Sequence, residues 1–232
     1  MESSQTNREL VALRDVCKTY ADGNVQALRN VSLAVARGEF VSIMGPSGCG
    51  KSTLLNMLGA LDRPTSGEVY FADQPLSAMK NLEKLRARRI GFVFQSFYLL
   101  PNLTALENVQ LPMFESDRPL HLRRHEAERL LERVGLADRL EHTPHQLSIG
   151  QRQRVAIARA MANAPDLILA DEPTGSLDSG SGTEIMDLLG ELNETQGTTL
   201  VVVTHDQTVA ERAGRIIRML DGEVIADEQL PL

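Results

Sequence analysis

Four short apolar runs set the pattern of this chain: Phe40-Val41-Ser42-Ile43-Met44, Ile90-Gly91-Phe92-Val93-Phe94, Leu167-Ile168-Leu169-Ala170 and Thr199-Leu200-Val201-Val202-Val203-Thr204. Each is too short for a stable helix, rich in strand formers and closed by polar or glycine residues, which predicts buried strands. Helical periodicities lie between them. Ser52–Leu58 puts Leu54, Leu55 and Leu58 on one face, Leu82–Arg89 is charged, and Ser181–Thr195 follows the third run. Strands alternating with helices in this way predict a parallel sheet covered on both faces.

The flanks read differently. Leu10–Lys18 and Val31–Ala36 predict an antiparallel pair joined by the turn Ala21-Asp22-Gly23-Asn24, and Glu68-Val69-Tyr70-Phe71 a further strand after the turn Arg63–Gly67. Near the end, Ile216–Leu220 and Glu223–Ala226 flank Asp221-Gly222, the strongest hairpin signal in the chain. From Thr104 to about Ala162 no strand signal appears. Thr104-Ala105-Leu106-Glu107 is a capping box, Leu122–Val134 is charged and amphipathic, and Gln151–Ala162 gathers Val155, Ala158 and Met161 on one face. The pattern predicts an α/β core (about 8–95 and 163–228), an N-terminal antiparallel β subdomain and an inserted helical subdomain (about 96–162), all within one domain spanning 1–232. The tails, about Met1–Glu9 and Asp227–Leu232, have little to pack.

Composition narrows the classes. The chain has 232 residues, 42% hydrophobic and 24% charged, with a formal net charge of −7. That is an ordinary globular make-up, and its acidic balance argues against a general nucleic-acid binder. No run approaches the ~18 apolar residues of a membrane span, and the polar start Met1–Thr6 is no signal peptide. Cys17 and Cys49 stand in no metal or redox spacing, which fits a reducing, cytosolic setting.

The chemistry concentrates after the first apolar run. Gly45-Pro46-Ser47-Gly48-Cys49-Gly50-Lys51-Ser52-Thr53 fits the phosphate-loop pattern, between a strand and a helix as that loop requires. A glycine-rich turn opening a helix aims backbone N–H groups and the helix dipole at one anion. Gly45, Gly48 and Gly50 are expected to supply positive φ and close approach. Lys51 is expected to reach the β- and γ-phosphates, and the Ser52 hydroxyl to complete a Mg²⁺ shell. Cys49 reads as a tolerated small residue. The loop predicts a nucleoside triphosphate site.

Asp171-Glu172, at the end of the third run, supplies the other half. Asp171 can hold Mg²⁺ through water, and Glu172 can polarise an attacking water. His205 ends the fourth run, and parallel strands deliver their carboxyl ends to one crevice, which favours a role near the γ-phosphate. His121, His125, His142 and His145 have no partner at metal-ligand spacing and read as solvated. Tyr20, ending the first strand, either caps a core or stacks an adenine. Leu147-Ser148-Ile149-Gly150-Gln151 precedes a helix. Ser148 is an N-cap candidate, and the glycine-bearing turn is a candidate second anion site. One triphosphate does not need two loops from one chain, so a second copy is expected to bring this one. Ser96–Thr104 is oddly apolar for a connection and reads as a contact surface.

Taken together, these pieces resemble an ATP-binding cassette (ABC) subunit of P-loop NTPase (RecA-like) fold over nearly the whole chain. Tyr20 stands where the adenine-stacking aromatic belongs, Gly45–Thr53 as Walker A, and Gln95 as the Q-loop. Leu147–Gln151 with Arg152–Ala160 stands as the signature and its helix, Leu167–Glu172 as Walker B, Ser176-Leu177-Asp178 as the D-loop and His205 as the switch histidine. Asn56–Asp62 and Asp171–Asp178 are similar to the lipoprotein-release, macrolide-export and cell-division group (LolD, MacB and FtsE types). The resemblance implies an ATPase using ATP and Mg²⁺, in which Ser52, Asp171 and Gln95 organise metal and water and Glu172 is the general base. It further implies that His205 holds the γ-phosphate, that Ser148, Gly150 and Gln151 act on a partner's nucleotide, and that Asp178 ties the two sites of a head-to-tail dimer. Membrane permease subunits would dock near Phe97–Leu103, placing the chain at the cytoplasmic face of the membrane without a span of its own. Export or mechanical work on the envelope is the main reading. The alternative is a regulatory ATPase of the cell-division type that moves no substrate. One departure stands out: Ile149 replaces the first glycine of the usual L-S-G-G-Q. Its β-branch is expected to resist positive φ, and its bulk to crowd the partner's γ-phosphate.

Overall fold

The computed structural model describes residues 9–21, 25–115 and 118–230. The expected turn at Asp22-Gly23-Asn24, the polar start, the last two residues and positions 116–117 of the helical block lie outside them.

Two sheets carry the fold. The first is antiparallel, in the order β2-β1-β4-β5, from β1 (Glu9–Tyr20), β2 (Val25–Ala36), β4 (Ser66–Phe71) and the two-residue β5 (Gln74–Pro75). β1 and β2 are longer than the alternation predicted, because bulges let the pairing continue past polar positions. Asp15 (φ 52°) and Asn30 (φ 51°) sit at positive φ where the register shifts.

The second sheet has the order β10-β9-β3-β8-β7-β6, from β3 (Phe40–Met44), β6 (Ile90–Phe94), β7 (Leu167–Asp171), β8 (Thr199–Thr204), β9 (Arg215–Leu220) and β10 (Glu223–Gln229). The strands β6, β7, β8, β3 and β9 run parallel, and β10 closes the edge antiparallel. Its hairpin turns at Asp221 (φ 47°) and Gly222 (φ 85°), the left-handed pair of a type I′ turn.

Both faces of the central strands β3, β8, β7 and β6 are largely buried, which is why they read as unbroken apolar runs. Ile168, Ala170, Leu200 and Val202 face one core, with the helical residues Leu131, Val155, Ile157 and Leu189. Leu167, Leu169, Val201 and Val203 face the other, with Leu54, Leu58 of α1 (Lys51–Leu58) and Leu13, Leu33 and Phe71 of the antiparallel sheet. After α2 (Leu82–Arg89), the helical block is α3 (Ala105–Gln110), α4 (Leu120–Arg133) and α5 (Ile149–Met161), with short 3₁₀ turns between. The Thr104–Glu107 capping box forms, with Glu107 N–H donating to Thr104 Oγ1 at 3.1 Å and Thr104 N–H to Glu107 Oε2 at 2.8 Å. α6 (Ser179–Gln196) and the short α7 (Gln207–Ala210) complete the chain's helices among the described residues.

Two boundaries differ from the periodicity in ways that matter. α5 starts at Ile149, not Gln151, because Ser148 caps it: Gln151 N–H donates to Ser148 Oγ at 3.2 Å and Ser148 N–H to Gln151 Oε1 at 2.9 Å. α6 starts at Ser179, not Ser181, capped by Asp178, whose carboxylate accepts from Ser181 N–H at 3.0 Å and Ser181 Oγ at 2.8 Å.

Candidate nucleotide site

The loop after β3 does what its glycines require, with one correction. Gly48 (φ 80°) and Gly50 (φ 104°) take positive φ, and Gly45 does not. Gly45 is needed for space instead: a Cβ there would sit 2.6 Å from Cys49 Sγ and closer still to the Met219 carbonyl. Gly50 caps α1, and Leu54 N–H donates to its carbonyl at 2.8 Å. Gly222 N–H donates to Cys49 O at 3.0 Å, so the β9–β10 turn clamps the loop from outside. The Lys51 ammonium folds back over the loop, donating to Gly45 O at 2.7 Å and Pro46 O at 3.0 Å. A cation parked on two neutral carbonyls is poised for an anion.

A groove of about 330 Å³ opens beside the loop, lined by Gly48, Gly50, Lys51, Ser52 and Thr53 and walled by Val25, Ala27 and Arg29 of β2 and by Asp221-Gly222. Tyr20 stands on the adjoining strand, paired with Val25, and the Lys18 ammonium lies 4.9 Å from its ring centre. The sequence points to Tyr20, which is not among the residues lining the groove, and not to the β2 wall or the hairpin's part in it.

Register brings the acids and the histidine to the same edge. Met44 of β3 pairs with Thr204 of β8, and Asp171 of β7 with Val203. Ser52 Oγ donates to Asp171 Oδ2 at 3.4 Å. Burial, with the Glu172 carboxylate next to it, pushes the Asp171 carboxyl above the usual aspartate range against the pull of Ser52 and Lys51. A hydroxyl and a carboxylate crowded by a second carboxylate form a hard-oxygen site that suits Mg²⁺. β7 ends at Asp171, and Glu172 itself sits at φ 46°, its N–H donating to Val203 O at 2.9 Å. His205 Nδ1 lies 2.7 Å from Glu172 Oε1, and Thr204 Oγ1 donates to Glu172 Oε2 at 3.3 Å. Gln95 follows β6, and the turn Glu172–Gly175 packs against it: a Cβ on Gly175 would come 2.8 Å from Gln95 Nε2.

Ser148, Gly150 and Gln151 are placed elsewhere, at the exposed start of α5, where a Cβ on Gly150 would lie 3.7 Å from Ser181. The same region holds Asp178, whose carboxyl the Ser181 N–H and hydroxyl keep below the usual range. Ile149 is the first residue of α5 and takes helical φ, so the expected conflict with positive φ does not arise; its side chain is 47% exposed. The signature turn is therefore a helix start, where a β-branched residue fits.

The segment after Gln95 is unusual in its backbone. Phe97 (φ 60°) and Tyr98 (φ 45°) are consecutive non-glycine residues at positive φ. The Arg159 guanidinium of α5 holds both, donating to Phe97 O at 2.6 Å and Tyr98 O at 2.5 Å. Burial pulls the Arg159 pKa below the usual arginine range. Tyr98 and Arg159 line an apolar groove of about 460 Å³ with Phe92, Phe94, Leu61 and Pro112. Tyr98 is 66% exposed, and Leu100, two residues on, is 48% exposed.

The sequence profile of the family described as "ABC transporter" matches residues 28–175. An uncharacterized ABC transporter ATP-binding protein of Methanocaldococcus jannaschii, MJ1508, is 53% identical over 93% of this chain and 98% of its own length. The macrolide export ATP-binding/permease protein MacB of Rhodopseudomonas palustris is 50% identical over 94% of this chain, which spans 34% of that longer protein. Among solved structures, the dimeric post-hydrolysis state of the M. jannaschii cassette MJ0796 bound to ADP and Pi superposes with a TM-score of 0.89 at 52% identity, covering 96% of this chain and 99% of that one.

Proposed function

This chain belongs to the ABC transporter family as an ATP-binding, ATP-hydrolysing cassette, and from that premise we propose that it drives membrane permease subunits in export or envelope work as a head-to-tail dimer. The observation that carries the reading is convergence: Lys51, Ser52, Asp171, Glu172 and His205 meet at the carboxyl ends of three neighbouring strands.

Lys51 exchanges the Gly45 and Pro46 carbonyls for β- and γ-phosphate oxygens, joined by the loop N–H groups and the α1 dipole. Ser52, Asp171 and Gln95 are the residues that would hold Mg²⁺, and its chemistry is to draw charge from the phosphate oxygens. Glu172, partly sheltered and bonded to His205 and Thr204, takes the proton of the attacking water. His205 is held by Glu172 and exposed, free to turn to the γ-phosphate. Ser148, Gly150 and Gln151 lie at an exposed helix start, which suits capping the nucleotide of a second copy, with Asp178 beside them at the junction. Tyr20 stacks the adenine from the hairpin side. The dimeric state of MJ0796 supports the assembly.

No helix among the described residues is long and apolar enough to cross a membrane. The reading brings a permease to the chain at the cytoplasmic face, and the Phe92–Tyr98 groove with the nearby Phe97 and Leu100 is the surface that suits it. The test reconstitutes the cassette with its membrane subunit in vesicles and replaces Tyr98 and Leu100 by Glu. The reading expects ATP binding to persist while stimulation of ATPase by the permease is lost; unchanged stimulation would sink it.

A further inference from the structure

We propose that Thr204 is a positioning residue for Glu172, the contact that keeps the base aimed once His205 has left it; this rests on the assignment of Glu172 as base and His205 as the γ-phosphate ligand. Glu172 has two side-chain partners of opposite character. His205 Nδ1 lies 2.7 Å from Oε1, but the His205 side chain is 72% exposed. It is anchored on one side and free on the other. Thr204 Oγ1 sits 3.3 Å from Oε2 and is fully buried, at the last position of β8 where the ladder to Met44 fixes its backbone. A β-branched side chain has few χ1 options in a strand, so the hydroxyl does not wander.

The direction of its proton is also set. Asp206 N–H donates to Thr204 Oγ1 at 3.0 Å and takes one of its lone pairs, and since the Glu172 carboxylate can only accept, the hydroxyl proton points to Oε2. Glu172 itself sits at φ 46° on a one-residue turn, where the backbone alone does little to aim a flexible carboxylate. When a nucleotide recruits His205 to its γ-phosphate, Oε1 is released to take a water proton. Oε2 stays on Thr204. The carboxylate keeps its orientation while its working oxygen becomes available, a division of labour between one mobile and one fixed donor.

The experiment compares Thr204→Val, nearly isosteric but without the hydroxyl, with Thr204→Ser and Thr204→Ala in the full chain. It measures steady-state ATPase, ATP affinity by equilibrium binding and thermal midpoint. Val and Ala are expected to lower kcat about tenfold at unchanged ATP affinity, the loss of one hydrogen bond to a charged group, and Ser to restore kcat to within about twofold. Normal kcat in Val or Ala, or equal impairment in Ser, would overturn the proposal. Glu172→Gln in parallel separates the two layers. If that variant turns over normally, the base assignment fails; if it stalls while Thr204→Val does not, only the role of Thr204 fails.

Discussion

Gly50→Ala should damage this chain far more than Gly48→Ala, although both glycines lie in the same loop at positive φ. At Gly48 (φ 80°) a Cβ meets nothing within 4 Å, so the cost is conformational alone. A non-glycine residue in that region costs about 1–2 kcal/mol, partly offset by a stiffer unfolded chain, for a net near 1 kcal/mol. At Gly50 (φ 104°) the backbone is further from any L-residue minimum. Its Cβ would drive into the Ala27 carbonyl oxygen and come 3.3 Å from Leu28 Cδ2. Ala27 and Leu28 belong to β2, where Gln26 and Leu28 on either side of Ala27 pair with Thr19 and Lys18 of β1, so the strand cannot step aside cheaply. Backbone strain and overpacking add about 1–3 kcal/mol each, for roughly 4 kcal/mol in all. Urea unfolding of the nucleotide-free chain reads the difference directly as a shift in midpoint at constant slope. ATP affinity should follow, since the displaced carbonyl lies beside the groove. Equal destabilisation of the two variants would refute the reasoning, because it would mean that φ alone, and not the packing of the loop on β2, decides the cost.

Ile149→Gly should raise ATP turnover, by up to about tenfold if the side chain crowds a partner's γ-phosphate, and lower helix stability by about 0.5 kcal/mol; a fall in turnover would show isoleucine to be fitted to the site. Asp227 is held below its usual range by the Arg215 guanidinium, to which it is bonded through both oxygens at 2.6 and 2.7 Å. A lowered folded pKa stabilises above the unfolded value near 3.9 and is lost as pH falls through the folded value. Asp227→Asn should therefore be less stable than wild type at pH 7 and match it at strongly acid pH; a gap independent of pH would contradict the linkage.

The parallel core was legible because its strands are buried on both faces. Phe40–Met44, Ile90–Phe94 and Thr199–Thr204 form with the bounds their apolar runs predict. The antiparallel sheet was less so. Its strands continue through polar positions by bulging at Asp15 and Asn30, which alternation does not register. Helix starts were misjudged where a cap overrides periodicity. Ser148 and Asp178 each draw in two residues that lie outside the apolar periodicity of the helix, and for Ile149 that shift removes the conformational objection to its presence. In the candidate site, the glycine and charged positions of the loop and of Asp171-Glu172 were readable from sequence. Thr204 and the β2 wall were not, since a hydroxyl at a strand end and a valine or alanine on a hairpin carry no motif. Only register places them. Gly45 shows the complementary limit: the motif names the glycine, but only packing shows that it is there for space and not for φ.

The most direct test of the account is Glu172→Gln, assayed for ATP binding, turnover and mass in solution on one preparation. The change keeps the shape and removes the base, so turnover should fall by about 10²–10⁴-fold while ATP still binds. Bound ATP that cannot be cleaved should hold two copies together, giving twice the monomer mass by light scattering with ATP and the monomer without it. Turnover close to wild type, or a monomer with ATP bound, would contradict the account.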